Sequence, residues 1–349
     1  MSESGYGFLD RLLHRLALQH CSIAELSFEM DQRMVKTDPV AIRTQRHIFV
    51  SGLARAGTTA LMRRFHDTGL YRSLTYRDMP FVLAPNVWRR FTSISKREIE
   101  TAERAHGDKL LINADSPESL DEVFWRVFSG KEYIKDTQLV PHESSAETTD
   151  KFVCYVNSIL AASSLSSNRY LSKNNNNILR LGSIYQAFPQ ALILIPFREP
   201  RQHAYSLLQQ HGRFSKLQAQ SKFTLSYMSW LCHHEFGLDH RPILPDGVTL
   251  PRHPVNTLNY WLQLWCETYS WLEKSKPDSA LFICYEDLCA HEDIWDSLAA
   301  LADIPGDHGT GISFVPANRP VETAFDREIA ERAAAIYERL VTLARARLS

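Results

Sequence analysis

Nine consecutive residues, Ser51-Gly52-Leu53-Ala54-Arg55-Ala56-Gly57-Thr58-Thr59, have the types and spacing to hold an anion. A glycine-rich loop of this kind turns successive backbone N–H groups toward one point, and a following helix adds the partial positive charge of its N-terminus. Arg55 contributes a permanent cation, and Thr58 and Thr59 contribute hydroxyl donors. The chemistry suggested is phosphate binding. Gly52 and Gly57 match the glycines of the nucleotide-hydrolase pattern G-x-x-x-x-G-K-[ST], but Thr58 stands where that pattern places its lysine. A Mg-nucleotide hydrolase would therefore lack its cation for the outer phosphates.

A second anion anchor is Phe197-Arg198-Glu199-Pro200-Arg201, with Ser206 further along. Pro200 suits the first position of a helix. Ser206 then lies about six residues in, roughly 9 Å along the axis. An extended Arg198 and Ser206 could hold one phosphate together.

These groups need a scaffold. His47-Ile48-Phe49-Val50 reads as a short buried strand leading into the loop, and Leu61, Met62 and Phe65 share one face of the helix after it. Residues 191–197 are apolar on both faces, as in a central parallel strand, with pairing expected to end at Pro196. A helix from Ile178, closed by Pro189, is expected before it, a further strand over 281–285, and helices over 294–301 and 326–348. Residues 1–46 read as a helical lead-in whose Leu9, Leu12, Leu13, Leu16 and Leu18 pack inward. Residues 212–256, rich in proline and histidine, read as a lid or acceptor-side insertion, followed by a helix from Leu258. Length divided by about 150 suggests two domains, yet α/β enzymes of this size are often one, and a single domain over 1–349 is expected.

The phosphate loop with Ala60-Leu61 resembles the 5′-phosphosulfate-binding loop of sulfotransferases that use 3′-phosphoadenosine 5′-phosphosulfate. Phe197–Arg201 with Ser206-Leu207-Leu208 is similar to the family's 3′-phosphate-binding motif, and Tyr285-Glu286-Asp287-Leu288 to its strand-end segment. The resemblance runs in order from about residue 46 to 303. It implies a P-loop-like, three-layer α/β/α fold with a central parallel sheet. It also implies metal-independent sulfuryl transfer to a hydroxyl or amine of a small-molecule, lipid or carbohydrate acceptor. On it, Arg55, Ala56, Gly57, Thr58 and Thr59 bind the donor's 5′ end, and Arg198 and Ser206 bind its 3′-phosphate. Leu171-Ser172-Lys173 resembles the segment whose lysine approaches the sulfuryl group; otherwise Lys173 is an exposed surface residue. The competing classes are a P-loop kinase or NTPase and a non-catalytic nucleotide-binding protein.

The acceptor also needs a base. Family members with an arginine-type loop place a carboxylate near Thr75-Tyr76-Arg77-Asp78, making Asp78 the candidate. Its alternatives are an ion pair with Arg72 or Arg77, or a helix cap. His203 and His211, two turns apart, could line the site or bond to backbone. His233, His234 and His240 have poor geometry for zinc, since adjacent side chains diverge. Tyr260, Trp261, Trp265, Tyr269 and Trp271 recur at near-helical spacing and read as core, with one ring able to stack on a ligand.

Composition bounds the rest. Lys and Arg total 39 against 40 Asp and Glu, which argues against a nucleic-acid partner but not against a locally basic pocket. Six cysteines without C-x-x-C spacing suggest neither zinc ribbon nor disulfide framework. Met1–Asp10 lacks a signal-peptide pattern and no apolar run is long enough to span a membrane. A soluble cytoplasmic protein of open oligomeric state is expected.

Overall fold

The structure is a computed structural model describing residues 8–36, 38–92, 102–103, 111–112, 118–163, 169–245, 247–306, 313–316 and 325–348. The leader expectation for the first seven residues, and the side chain of Leu9, lie outside the described residues. In chain order, α1 (Phe8–His14), α2 (Cys21–Gln32) and α3 (Pro39–Arg43) precede β1 (Ile48–Val50), α4 (Thr58–His66), β2 (Tyr71–Arg72) and α5 (Pro85–Thr92). A two-residue ladder follows, β3 (Ala102–Glu103) with β4 (Leu111–Ile112), then α6 (Glu122–Tyr133), α7 (Ala146–Ala161) and β5 (Arg169–Lys173). The second half holds α8 (Leu181–Ala187), β6 (Leu192–Phe197), α9 (Pro200–Gln220), α10 (Lys222–Trp230), α11 (Leu258–Ser275) and β7 (Ala280–Cys284). It ends with α12 (Tyr285–Ala290), α13 (Glu292–Leu301) and α14 (Arg327–Leu348).

The main sheet is all parallel, in the order β2-β5-β1-β6-β7. From β1 the chain first fills one side, forming the edge strand β2 before the inner strand β5, and then builds outward on the other side through β6 and β7, so β1 lies where the chain changes sides, the place where open α/β sheets bind ligands. Alternate residues feed two cores. Phe49, Tyr170, Ile193, Ile195 and Phe282 face one side with α6, α7, α9, α11 and α14. Ile48, Val50, Leu171, Leu194 and Ile283 face the other with α4 and α13. Burial on both faces is why these strands read as unbroken apolar runs. The result is the P-loop-like α/β/α layering expected from the sequence.

Three details differ from the sequence reading. Leu12, Leu13 and Leu16 are exposed, whereas Ala17, Leu18, Ala24 and Phe28 are buried. A π-helical turn over Arg15–Gln19 interrupts the 3.6-residue period and shifts which face meets the core. Pairing does not end at Pro196: β6 continues beside β7 to Phe197, opposite Cys284, while its register with β1 stops at Leu194. Finally, α9 runs unbroken to Gln220 and α10 follows it, so the irregular part of the 212–256 stretch begins only at Leu231. That part is tied down, with Leu139 N–H donating to Pro242 O and Leu244 N–H to Leu139 O, each at 2.9 Å.

Candidate active site

The phosphate loop leaves β1 at Ser51, whose N–H still bonds Leu194 O at 2.8 Å. Gly52 is required by close approach: a Cβ there would lie 3.0 Å from Pro196 O. Arg55 (φ 71) and Gly57 (φ 89) both adopt the left-handed conformation, curling the loop back before Thr58 opens α4. Such a non-glycine residue in a loop of this type is strained, and strain of this kind concentrates at functional sites. Arg63, Arg64 and His66 in the last turn of α4 complement its dipole, leaving the positive end at the loop.

Lys173 ends β5 and is paired in register with Val50 at the end of β1. It is buried rather than on the surface, with 8% exposed. Arg198, also buried, follows β6 on the other side of β1. The sheet thus brings Lys173, the loop and Arg198 together on three adjacent strand ends. Ser206 lies on α9, but its Oγ accepts from Arg55 Nε at 3.2 Å. It therefore touches the cation of the loop, a contact that the reading of Ser206 beside Arg198 had not included.

Asp78 follows the next strand out. Its turn follows the edge strand β2, which β5 separates from β1. Arg72 Nη2 sits 2.7 and 2.8 Å from its two oxygens, and Thr75 N–H donates at 2.7 Å and Thr75 Oγ1 at 3.1 Å. Asp78 is thus both cap and ion pair, the two structural alternatives weighed for it.

Several positioning residues were not read from the sequence as such. His203 is fully buried and its Nε2 bonds Ala54 O at 2.8 Å, pinning the phosphate loop to α9. A carbonyl partner makes Nε2 the protonated nitrogen. Burial, followed by the charges of Arg198 and Arg55 against the pull of that bond, lowers its pKa to about 3, so it stays neutral. Tyr285 places its ring over the loop, where a Cβ on Gly57 would lie 2.2 Å from Cδ2. Glu286 Oε1 accepts from Glu199 N–H at 3.0 Å, fixing the turn that carries Arg198. Asp287 pairs with Arg345 at 2.8 and 2.9 Å, fastening the same segment to α14. The Tyr-Glu-Asp-Leu segment thus braces the loop and the turn that carries Arg198 at once.

The asparagine run does the same for Lys173. Asn174 Nδ2 donates to Glu122 Oε2 at 2.7 Å and to Asp121 Oδ1 at 3.2 Å, and Asn177 Nδ2 donates to Ser172 Oγ at 3.1 Å. Glu122 pairs with the fully buried Arg180 at 2.7 Å, whose guanidinium lies between the rings of Trp125 and Tyr133 at 4.9 and 4.6 Å. Breaking one member of so buried a pair is costly, so this end of β5 is rigid. Trp261, Trp265 and Tyr269 are core, as expected. His234 and His240 bond to neighbouring groups, and among the described residues no His, Cys, Asp and Glu group has the arrangement to hold a metal. No helix among the described residues is long and apolar enough to cross a membrane.

Fold and site together define an α/β protein with buried or loop-borne cations, Lys173, Arg55 and Arg198, on three adjacent strand ends of a P-loop-like sheet. The sulfotransferase family model matches residues 47–241, more than half of the chain, and the chain belongs to that family. No curated relative matches. Similar solved structures include the sulfotransferase STF1 from Mycobacterium tuberculosis, 14% identical, covering 100% of this chain and 88% of that one with a TM-score of 0.45. Another is the sulfotransferase STF9 from Mycobacterium avium, 13% identical over 95% of this chain and 74% of its own, TM-score 0.42. A third is the Alicyclobacillus acidocaldarius sulfotransferase, 13% identical, with coverages of 87% and 95% and a TM-score of 0.36.

Proposed function

We propose that this sulfotransferase takes 3′-phosphoadenosine 5′-phosphosulfate as donor, with the two anionic ends held on the strand ends either side of β1. The observation that supports it most is the pairing of a lysine-less phosphate loop with a second buried cation, Arg198, one strand away. A kinase or NTPase would use a lysine in place of Thr58. A donor carrying both a 5′-phosphosulfate and a 3′-phosphate needs two such sites.

In this reading the amides of Arg55, Ala56 and Gly57, the Arg55 guanidinium and the hydroxyls of Thr58 and Thr59 hold the 5′ phosphate. Charge builds there as the bridging S–O bond breaks, and fixed donors stabilise it without reorganising. Lys173, held by the asparagine knot, supplies a point charge on the sulfuryl side. Arg198 takes the 3′-phosphate, and Ser206 links that side of α9 to Arg55. A sulfuryl group carries less negative charge than a phosphoryl group, so these residues suffice and a metal ion is not part of the scheme. The acceptor is a hydroxyl or amine of a small molecule, lipid or carbohydrate. The buried thiols of Cys232, Cys266 and Cys284, packed as core side chains, accord with a cytoplasmic enzyme. Asp78 already accepts from Arg72 and from Thr75.

The test is mass spectrometry of acceptor panels incubated with the donor and chelator. The expected result is an acceptor gaining one sulfuryl group while the donor becomes 3′-phosphoadenosine 5′-phosphate. Phosphate transfer from ATP with Mg²⁺, and no sulfated product, would overturn the proposal.

A further inference from the structure

The phosphate loop contains a turn that its sequence disfavours. Ala56 N–H donates to Leu53 O at 3.3 Å, closing a four-residue turn with Ala54 and Arg55 at its centre. Of these two only Arg55 has a positive φ, 71°, which is the pattern of a type II turn. That turn calls for glycine or asparagine where Arg55 stands. The type I alternative, which suits most residues there, differs mainly in its middle peptide, here Ala54–Arg55, turned over by about half a rotation. A contact from outside the turn must hold the peptide in the less favourable sense.

His203 supplies that contact. Its Nε2–H donates to Ala54 O at 2.8 Å, while its Nδ1 is buried with no hydrogen-bond partner. A fully buried imidazole with one nitrogen unbonded is a poor choice for packing alone, because burying an unpaired polar group costs stability. Three residues further along α9, and so on the same face, Ser206 Oγ accepts from Arg55 Nε at 3.2 Å. Thus α9 fixes both the backbone and the side chain of the one cationic residue in the loop. The C=O and N–H of a trans peptide point in opposite directions. Holding Ala54 O against the buried ring therefore turns the Arg55 N–H away from α9.

Resting on the donor reading above, we propose that His203 is a positioning residue that selects the phosphate-binding form of this turn, keeping the Arg55 N–H rather than the Ala54 carbonyl on the side taken by the donor's 5′ phosphate. Without its bond the peptide relaxes toward the type I sense. Ala54 O then takes the place of the Arg55 N–H, and a carbonyl oxygen meets the phosphate oxygens where a donor had stood. The effect is confined to the 5′ end. Arg198 is carried by a different turn, which Glu286 fixes through the Glu199 N–H at 3.0 Å.

The experiment is calorimetric titration of the full chain, in chelator, with 3′-phosphoadenosine 5′-phosphate and with adenosine 3′-phosphate, which lacks the 5′ end. His203→Leu should weaken the first by roughly ten- to a hundredfold, the size of the strain in such a turn, and leave the second unchanged. A residue that only filled the core would weaken both by the same factor. His203→Gln, which keeps an amide donor of similar reach, should bind close to wild type. His203→Asn, whose amide is shorter, carries the prediction of the leucine variant should that one not fold. Arg55→Gly gives the sharper comparison. Glycine bears the positive φ without strain, so adding His203→Leu to Arg55→Gly should cost only a small part of what it costs the Arg55 chain, a coupling that independent sites would not show. Equal losses in the two backgrounds, equal losses for the two nucleotides, or undiminished binding by His203→Leu would each overturn the proposal. A wild-type chain to which the 5′ phosphate adds no affinity strikes the donor reading itself, and this inference falls with it.

Discussion

Arg55→Gly is expected to cost turnover about 10²–10³-fold, the usual loss for one fixed donor at a developing oxyanion, while leaving the melting temperature nearly unchanged. The two effects separate because Arg55 carries two burdens. Its backbone is at φ 71, a conformation that costs a non-glycine residue about 1–3 kcal/mol and glycine almost nothing. Glycine gives back about 1 kcal/mol of that through the entropy of the unfolded chain, and the Arg55–Ser206 hydrogen bond at 3.2 Å is lost as well. These stability terms nearly cancel. The catalytic terms do not, since no other residue of the loop carries a cation. Arg55→Lys, which keeps the charge but not the planar fork, should lie between the two. Thermal unfolding and steady-state rates on the same preparations check this; an Arg55→Gly enzyme with normal turnover would remove Arg55 from the chemistry.

Gly57→Ala is expected to weaken nucleotide binding by about a hundredfold or more and to lower the melting temperature. The methyl group would meet the Tyr285 ring at 2.2 and 2.4 Å, in a backbone held at φ 89. Strain of about 3 kcal/mol in the bound loop corresponds to roughly a hundredfold in affinity. The double variant Gly57→Ala with Tyr285→Ala separates the causes, because it removes the collision and leaves the backbone strain. Affinity measured by calorimetry should recover in part, a coupling that two independent sites would not show. Unchanged affinity in Gly57→Ala alone would mean that the loop does not bind in the shape described.

What the sequence carried legibly is what local pattern can carry. The phosphate loop is contiguous, Arg198 follows a strand apolar on both faces, and the C-terminal helix from Asp326 announces itself by composition. The periodicity of Leu61, Met62 and Phe65 placed α4 correctly, and all three are fully buried. The site's supports were illegible for the opposite reason. Asn175 finds Glu235 60 residues away and Arg180 finds Glu122 58 residues back, and such pairings leave no local period. The asparagine run shows no local period because its side chains bond to groups on α6, on β5 and in the stretch after α10. Leu12, Leu13 and Leu16 misled because a single π turn moves a helical face without changing its composition. Asp78 occupies a place the family resemblance picked out, yet its own turn, with Arg72 and Thr75, takes up its carboxylate.

A near balance of 39 cations and 40 anions leaves room for two compact anion sites on strand ends, the arrangement we propose. The most direct test of that arrangement is calorimetric titration with 3′-phosphoadenosine 5′-phosphate in chelator, set against ATP with Mg²⁺. The account predicts that the 3′-phosphorylated nucleotide binds without metal and more tightly than ATP, and that Arg198→Ala removes most of the difference. Tighter binding of Mg²⁺–ATP, with Arg198→Ala without effect, would contradict it.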